Sequence, residues 1–153
     1  MESSTGIAFL DFTEKDRKWL HEAYDVVGPR LDTILDEFYS ALDKIGSGPE
    51  AYGVRREDLK KRQKGHWHQM FQGNFDECYE NTARRIAIRH LEIGLPQDLY
   101  VLSYLKILSL LSGAICGIPG EDRAHSAEMV EAVTKAIAID MMHAMAPYSA
   151  EVL

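Results

Sequence analysis

Apolar residues recur at spacings of three and four along nearly the whole chain, and glycine or proline interrupts the pattern at a few points. That period places one apolar stripe on each helix, whereas a half-buried strand needs strict alternation. No alternating β-branched run and no Asn-Gly or Asp-Gly turn occurs in the 153 residues, so strand and hairpin signals are missing. The length suits one domain.

The breaks divide the chain into six predicted helices. Thr13, with Asp16 three residues on, is an N-terminal cap for a helix to about Val27, where Gly28-Pro29 intervenes. Leu31, Ile34, Leu35, Phe38, Leu42 and Ile45 form the stripe of the second helix. Gly46-Ser47-Gly48-Pro49 with Gly53 is a loop. A third helix covers about Arg55 to Phe71, and Asn74 with Glu77 forms a capping-box-like start for a fourth, which runs to about Ile93. Gly94 and Pro96 precede a fifth, to about Cys116, and the last helix spans about Glu121 to Ala146 and stops at Pro147. The largely apolar fifth helix is expected to be wrapped by the others in an all-α bundle.

A formal net charge of -7 argues against non-specific nucleic-acid binding, and the basic run Arg55 to Lys64 is interleaved with Glu57 and Asp58, as on a solvated helix face. Cys78 and Cys116 lie far apart without a CxxC or CxxCH, which removes a zinc ribbon, a thioredoxin-like site and covalent haem attachment; buried or half-buried thiols are expected. Met1-Glu2-Ser3-Ser4 has no basic, apolar leader character. The apolar stretch Leu99 to Ile118 is broken by Ser103, Lys106, Ser109 and Ser112 and reads as a buried core helix rather than a membrane span. A cytoplasmic protein is the expectation.

Chemistry concentrates on the third and fourth helices. Phe75, Tyr79, Ala83, Ile86, His90 and Ile93 share one stripe, so His90 lies among aliphatic groups on a buried face. It is either a core histidine bonded to a carbonyl or a metal ligand. The inner face of the third helix reads Leu59, Gln63, His66, Trp67, Met70, which suits either a cavity wall or a highly exposed helix. Tyr39, beside the stripe of the second helix, is either a core-edge residue or a hydroxyl aimed into a pocket. His66 and His68 point to different faces, and His21, His125 and His143 sit among charged or small residues and read as surface groups. No GxSxG, HExxH or phosphate loop is present.

The run from Arg84 to Pro96, with His90-x-x-Ile93-Gly94 at its centre and Leu99-Tyr100 behind it, resembles the proximal-histidine signature of globin-coupled sensors and protoglobins. His66-Trp67-x-x-Met70-Phe71-x-Gly73-x-Phe75-Asp76-x-x-Tyr79 and Phe38-Tyr39 are similar to the same family, over about Phe9 to Pro147. Family members often carry tryptophan where Leu99 stands. The resemblance implies a globin-like bundle of A, B, E, F, G and H helices without a D helix, and a non-covalent haem b (iron protoporphyrin IX). It implies His90 as the metal ligand on the F helix and Tyr39 as the distal hydrogen-bond donor on the B helix. Leu59 and Gln63 fall on the distal E helix, and Tyr100 near the proximal side. With Phe38, Ile86 and Tyr104 these complete the implied cofactor-binding set.

The implied ligands are O2, CO and NO, and the implied role is oxygen sensing in the cytoplasm, with signal transduction through a homodimer of G and H helices. Ala132, Ala136, Ala138 and Ala144 permit close helix approach or simply favour helix. The chain is expected to be a lone sensor domain over 1-153 without an output domain, to have no catalytic activity of its own and to stay out of membranes. Nitric oxide or peroxide chemistry by a single-domain member, or a haem-free interaction module, are the alternatives.

Overall fold

The structure is a computed structural model that describes the backbone of residues 1–152 and side chains through residue 149. Among the described residues it is all-helical, with seven α-helices: α1 Ser3–Leu10, α2 Glu14–Val27, α3 Leu31–Lys44, α4 Arg56–Gln72, α5 Glu77–Glu92, α6 Gln97–Cys116 and α7 Arg123–Val152. Short 3-10 turns at Gly28–Arg30 and Pro49–Tyr52 flank α3.

Helices α2 to α7 are the six expected. Asp16 caps α2 by accepting the Thr13 N–H at 2.9 Å. The start of α5 differs from expectation. Asp76, not Asn74, is the cap, and its carboxylate accepts the Tyr79 N–H at 2.9 Å. Phe75 just before it takes a left-handed φ of 43°, so the chain turns after Asn74 rather than starting a helix there.

Helix α1 is an addition, short and serine-rich with no strong stripe. It is held from outside: the Ser3 N–H donates to Glu80 on α5 at 2.8 Å, and Ser3 Oγ pairs with His143 Nε2 on α7 at 2.8 Å. Gly6 faces α7, where a Cβ would lie in ordinary contact with Met142 Sδ at 3.4 Å. His143 is therefore buried rather than a surface group, and burial pushes its imidazole below the ordinary value.

The central helix is α7, not the apolar fifth predicted helix. It packs on α1, α2, α4, α5 and α6. Its Ala132, Ala136 and Ala144 are buried within the chain, where small side chains let the neighbouring helices approach. α7 runs through Pro147 instead of stopping there. The Tyr148 hydroxyl donates to the Leu95 carbonyl at 2.8 Å, and its ring packs with Tyr100 and Ala144, which holds the helix beyond the missing N–H.

Helix α6 buries one stripe, Tyr100, Ile107, Leu111 and Ile115. It leaves Leu102 61% and Leu105 49% exposed on the other side. By length and composition α6 is apolar enough to cross a membrane, and only 22% of its apolar window is buried, so it is not a wrapped core helix. Both cysteines are exposed, contrary to expectation, because each falls outside its helix's inward stripe.

Candidate functional site

A cavity of about 350 Å³ opens between α3, α4, α5 and α6, within the range of small-molecule and cofactor sites. All eight residues singled out in the sequence line it: Phe38 and Tyr39 from α3, Leu59 and Gln63 from α4, Ile86 and His90 from α5, Tyr100 and Tyr104 from α6. The polar inner face of α4 is a cavity wall. Its buried residues, Trp67, Met70 and Phe71, all lie in its C-terminal part.

His90 shows the most specific chemistry. Its Nδ1 is 2.8 Å from the Ile86 carbonyl, and a carbonyl only accepts, so Nδ1 carries the proton. Burial pushes the imidazole below its ordinary value, with the Ile86 bond opposing that in part, and the ring is neutral near pH 7. Nε2 then keeps a lone pair with no hydrogen bond among the described residues. A fixed Nδ1–H···O=C bond that leaves Nε2 bare is the arrangement of a metal-ligating histidine. The sequence left two roles open, carbonyl-bonded or ligating, and in this geometry they are compatible. Tyr100 stacks on the ring at 4.6 Å and 20°.

Tyr39 is buried and its hydroxyl donates to Gln63 Oε1. Burial raises its phenol far above the ordinary value, so it stays a donor. Leu42, Val54, Leu59 and Phe38 give that side apolar wall, with Ser47, Tyr52 and His66 between them. Arg62, Arg85 and Arg89 are exposed yet line the cavity, which places them at its mouth.

The sequence reading missed Asp140, which is 4% exposed. Its Oδ1 accepts from His66 Nε2 at 2.7 Å and from the Tyr79 hydroxyl; its Oδ2 accepts from Tyr104 at 2.7 Å. Burial drives the carboxyl upward, but these donors outweigh it and hold it below the ordinary carboxylate range. The signal was present as one acid in the apolar run Ala136 to Met142. His66 Nδ1 is buried without a partner.

A protoglobin family model matches residues 4–152. The chain belongs to the protoglobin family. This protoglobin superimposes on the globin domain of the Geobacter sulfurreducens globin-coupled sensor with a TM-score of 0.81 and 22% identity, over 97% of this chain and 98% of that one. At that identity the likeness shows the globin fold. No curated protein matches the sequence.

A globin family implies haem as the cofactor, and the residues fit it. The cavity offers a neutral imidazole lone pair for iron, aliphatic and aromatic walls for a flat apolar ring, and arginines at the mouth for two carboxylates.

Proposed function

We propose that this protoglobin is a sensor of diatomic gases, oxygen foremost and also CO and NO, that holds a b-type haem without covalent bonds. The observation that carries this reading is the bare Nε2 of neutral His90 at the cavity wall. Haem, when bound, supplies an iron that takes an imidazole on one face and leaves the other open to a gas.

The protein's own part is positioning. Ile86 fixes the His90 tautomer and Tyr100 fixes its ring plane. Tyr39 offers an O–H in a water-poor pocket, where a hydrogen bond to a polarised ligand is strong. Gln63 Oε1 holds that one proton, so the O–H must turn from Gln63 to donate to a ligand. Oxygen draws negative charge toward itself and CO draws little, so Tyr39 favours oxygen. Tyr39→Phe is expected to raise the oxygen dissociation rate about 10- to 100-fold, the worth of a hydrogen bond to a charged group, and to leave CO dissociation nearly unchanged. Stopped-flow measurement of both rates is the test; equal oxygen rates in the two proteins would remove Tyr39 from the role. Before that, haem-reconstituted protein must show a Soret band that shifts when oxygen meets the reduced form.

In this reading the chain has no catalytic activity of its own, works in the cytoplasm and passes its signal through a homodimer. The apolar outer face of α6 supports the last point. Leu102 and Leu105, roughly half-exposed, forgo about 1–2 kcal/mol each that full burial would add. Leu105→Lys is expected to turn a dimer into a monomer in sedimentation experiments without changing the gas affinity of the reduced protein more than a few-fold. A wild-type chain that sediments as a monomer at all concentrations would refute the dimer.

A further inference from the structure

The junction of α3 and α4 carries a charge cluster that gas binding alone leaves unused. Arg56, the first residue of α4, donates Nη1 and Nη2 to the two carboxylate oxygens of Asp43 at 3.0 and 2.8 Å. It donates Nε and Nη2 to the two oxygens of Glu50 at 3.1 and 2.8 Å. Asp43 stands near the end of α3 and Glu50 in the 3-10 turn Pro49–Tyr52, so one guanidinium ties three segments together. Pro49 and Tyr52, on either side of Glu50, line the cavity.

Two further observations make this a built feature. The guanidinium carbon lies over the Tyr39 ring, 5.4 Å from its centroid, within cation–π range. Gly48 leaves room for the clamp: a Cβ there would collide with Asp43 Oδ1 and lie 3.1 Å from Arg56 Nη2. Gly48 does not need glycine for its backbone, since its φ is -64°. The demand is for space. An isolated exposed ion pair contributes little, but a planar fork shared between two carboxylates fixes orientation, which lysine cannot do.

We infer that Arg56 is a positioning residue for Tyr39: clamped between Asp43 and Glu50, its guanidinium holds the phenol so that the hydroxyl points into the cavity. The inference rests on the gas-binding role proposed for Tyr39. Tyr39 is then held from two directions, its ring by Arg56 and its hydroxyl by Gln63. Arg56 reaches the ligand only through Tyr39, so its effect is selective for ligands that need the hydrogen bond.

The test compares oxygen and CO dissociation from haem-loaded wild type, Arg56→Gln, Arg56→Lys, Gly48→Ala, Tyr39→Phe and the Tyr39→Phe/Arg56→Gln double variant. Arg56→Gln is expected to raise the oxygen rate about threefold to tenfold and to leave CO alone. Arg56→Lys behaves like Arg56→Gln because the fork is lost. Gly48→Ala shifts the oxygen rate the same way with every charge in place. In the Tyr39→Phe background Arg56→Gln adds nothing. As a readout apart from gas kinetics, the ring-carbon resonances of labelled Tyr39 in the carbonyl form move in Arg56→Gln and Gly48→Ala.

Equal rises in the oxygen and CO rates would show a loosened cavity and overturn the inference. So would an Arg56→Gln effect that persists without the Tyr39 hydroxyl, or an unmoved Tyr39 resonance. If Tyr39→Phe itself leaves oxygen unchanged, the role of Tyr39 falls and this inference with it, while haem binding at His90 stands. A chain that never takes up haem fails at the earlier step.

Discussion

His90→Ala is expected to keep its helices and lose its Soret band. The side chain contributes little to the core, since it is half-buried and its one hydrogen bond goes to the carbonyl of its own helix. Alanine favours helix more than histidine does, so α5 should form at least as well. What disappears is a neutral lone pair on the cavity wall, pre-aimed by a tautomer-fixing bond. His66 keeps a bare nitrogen too, since Asp140 holds its Nε2–H, but that nitrogen, Nδ1, is enclosed and out of reach of a ligand. Far-ultraviolet circular dichroism and hemin titration measure the two halves of this result. Added imidazole, filling the space left by the ring, should restore part of the absorption. An alanine variant with the wild-type spectrum at equal hemin stoichiometry would show that another group binds the iron.

The second large effect is on stability. Asp140→Ala leaves the Tyr79 and Tyr104 hydroxyls and the His66 Nε2–H without their acceptor in a buried site. Each stranded donor costs about 1–3 kcal/mol, and mutual relaxation brings the total to about 3–5 kcal/mol. That is a large share of the roughly 5–15 kcal/mol that holds a domain together. Acid should expose the same group. The carboxyl is held below its ordinary value of 3.8 in the folded chain, because hydrogen bonds outweigh the upward push of burial. A depressed folded pKa means the carboxylate's contribution is complete above the unfolded value and is lost as pH falls below it. Urea melts across pH should therefore show wild type losing stability below about pH 3.8, with Asp140→Asn starting lower and falling less steeply. Parallel acid limbs for the two proteins would mean that Asp140 does not report on folding.

The parts of the molecule that the sequence disclosed share a cause. Helices α2 to α7 have a period, a cap or a glycine–proline break, all of which act locally. His90, Tyr39 and their neighbours were found through a run of residues in register with a known family, and the folded chain brings them to one cavity. What stayed hidden depends on contacts between distant segments. α1 forms against α7 and α5 through Ser3, Gly6 and His143, and no local signal marks it. The Asp140 node joins residues 36 to 74 positions apart. The rank of α6 and α7 was inverted because hydropathy measures how apolar a helix is, not how many faces it covers. Alanine-rich α7 scores modestly and is surrounded; leucine-rich α6 scores highly and keeps a bare side.

The first half of α4 has no buried apolar residue. Beyond the Arg56 clamp it is tied to α3 by Lys60 and Lys64 reaching Asp36 and Asp32. Such exposed pairs are individually weak. One wall of the pocket is thus fastened like a zip, each tooth easily parted, while the opposite end of the same helix is anchored by Trp67, Met70 and Phe71. Parting those teeth in turn would widen the pocket with the globin core left folded behind it.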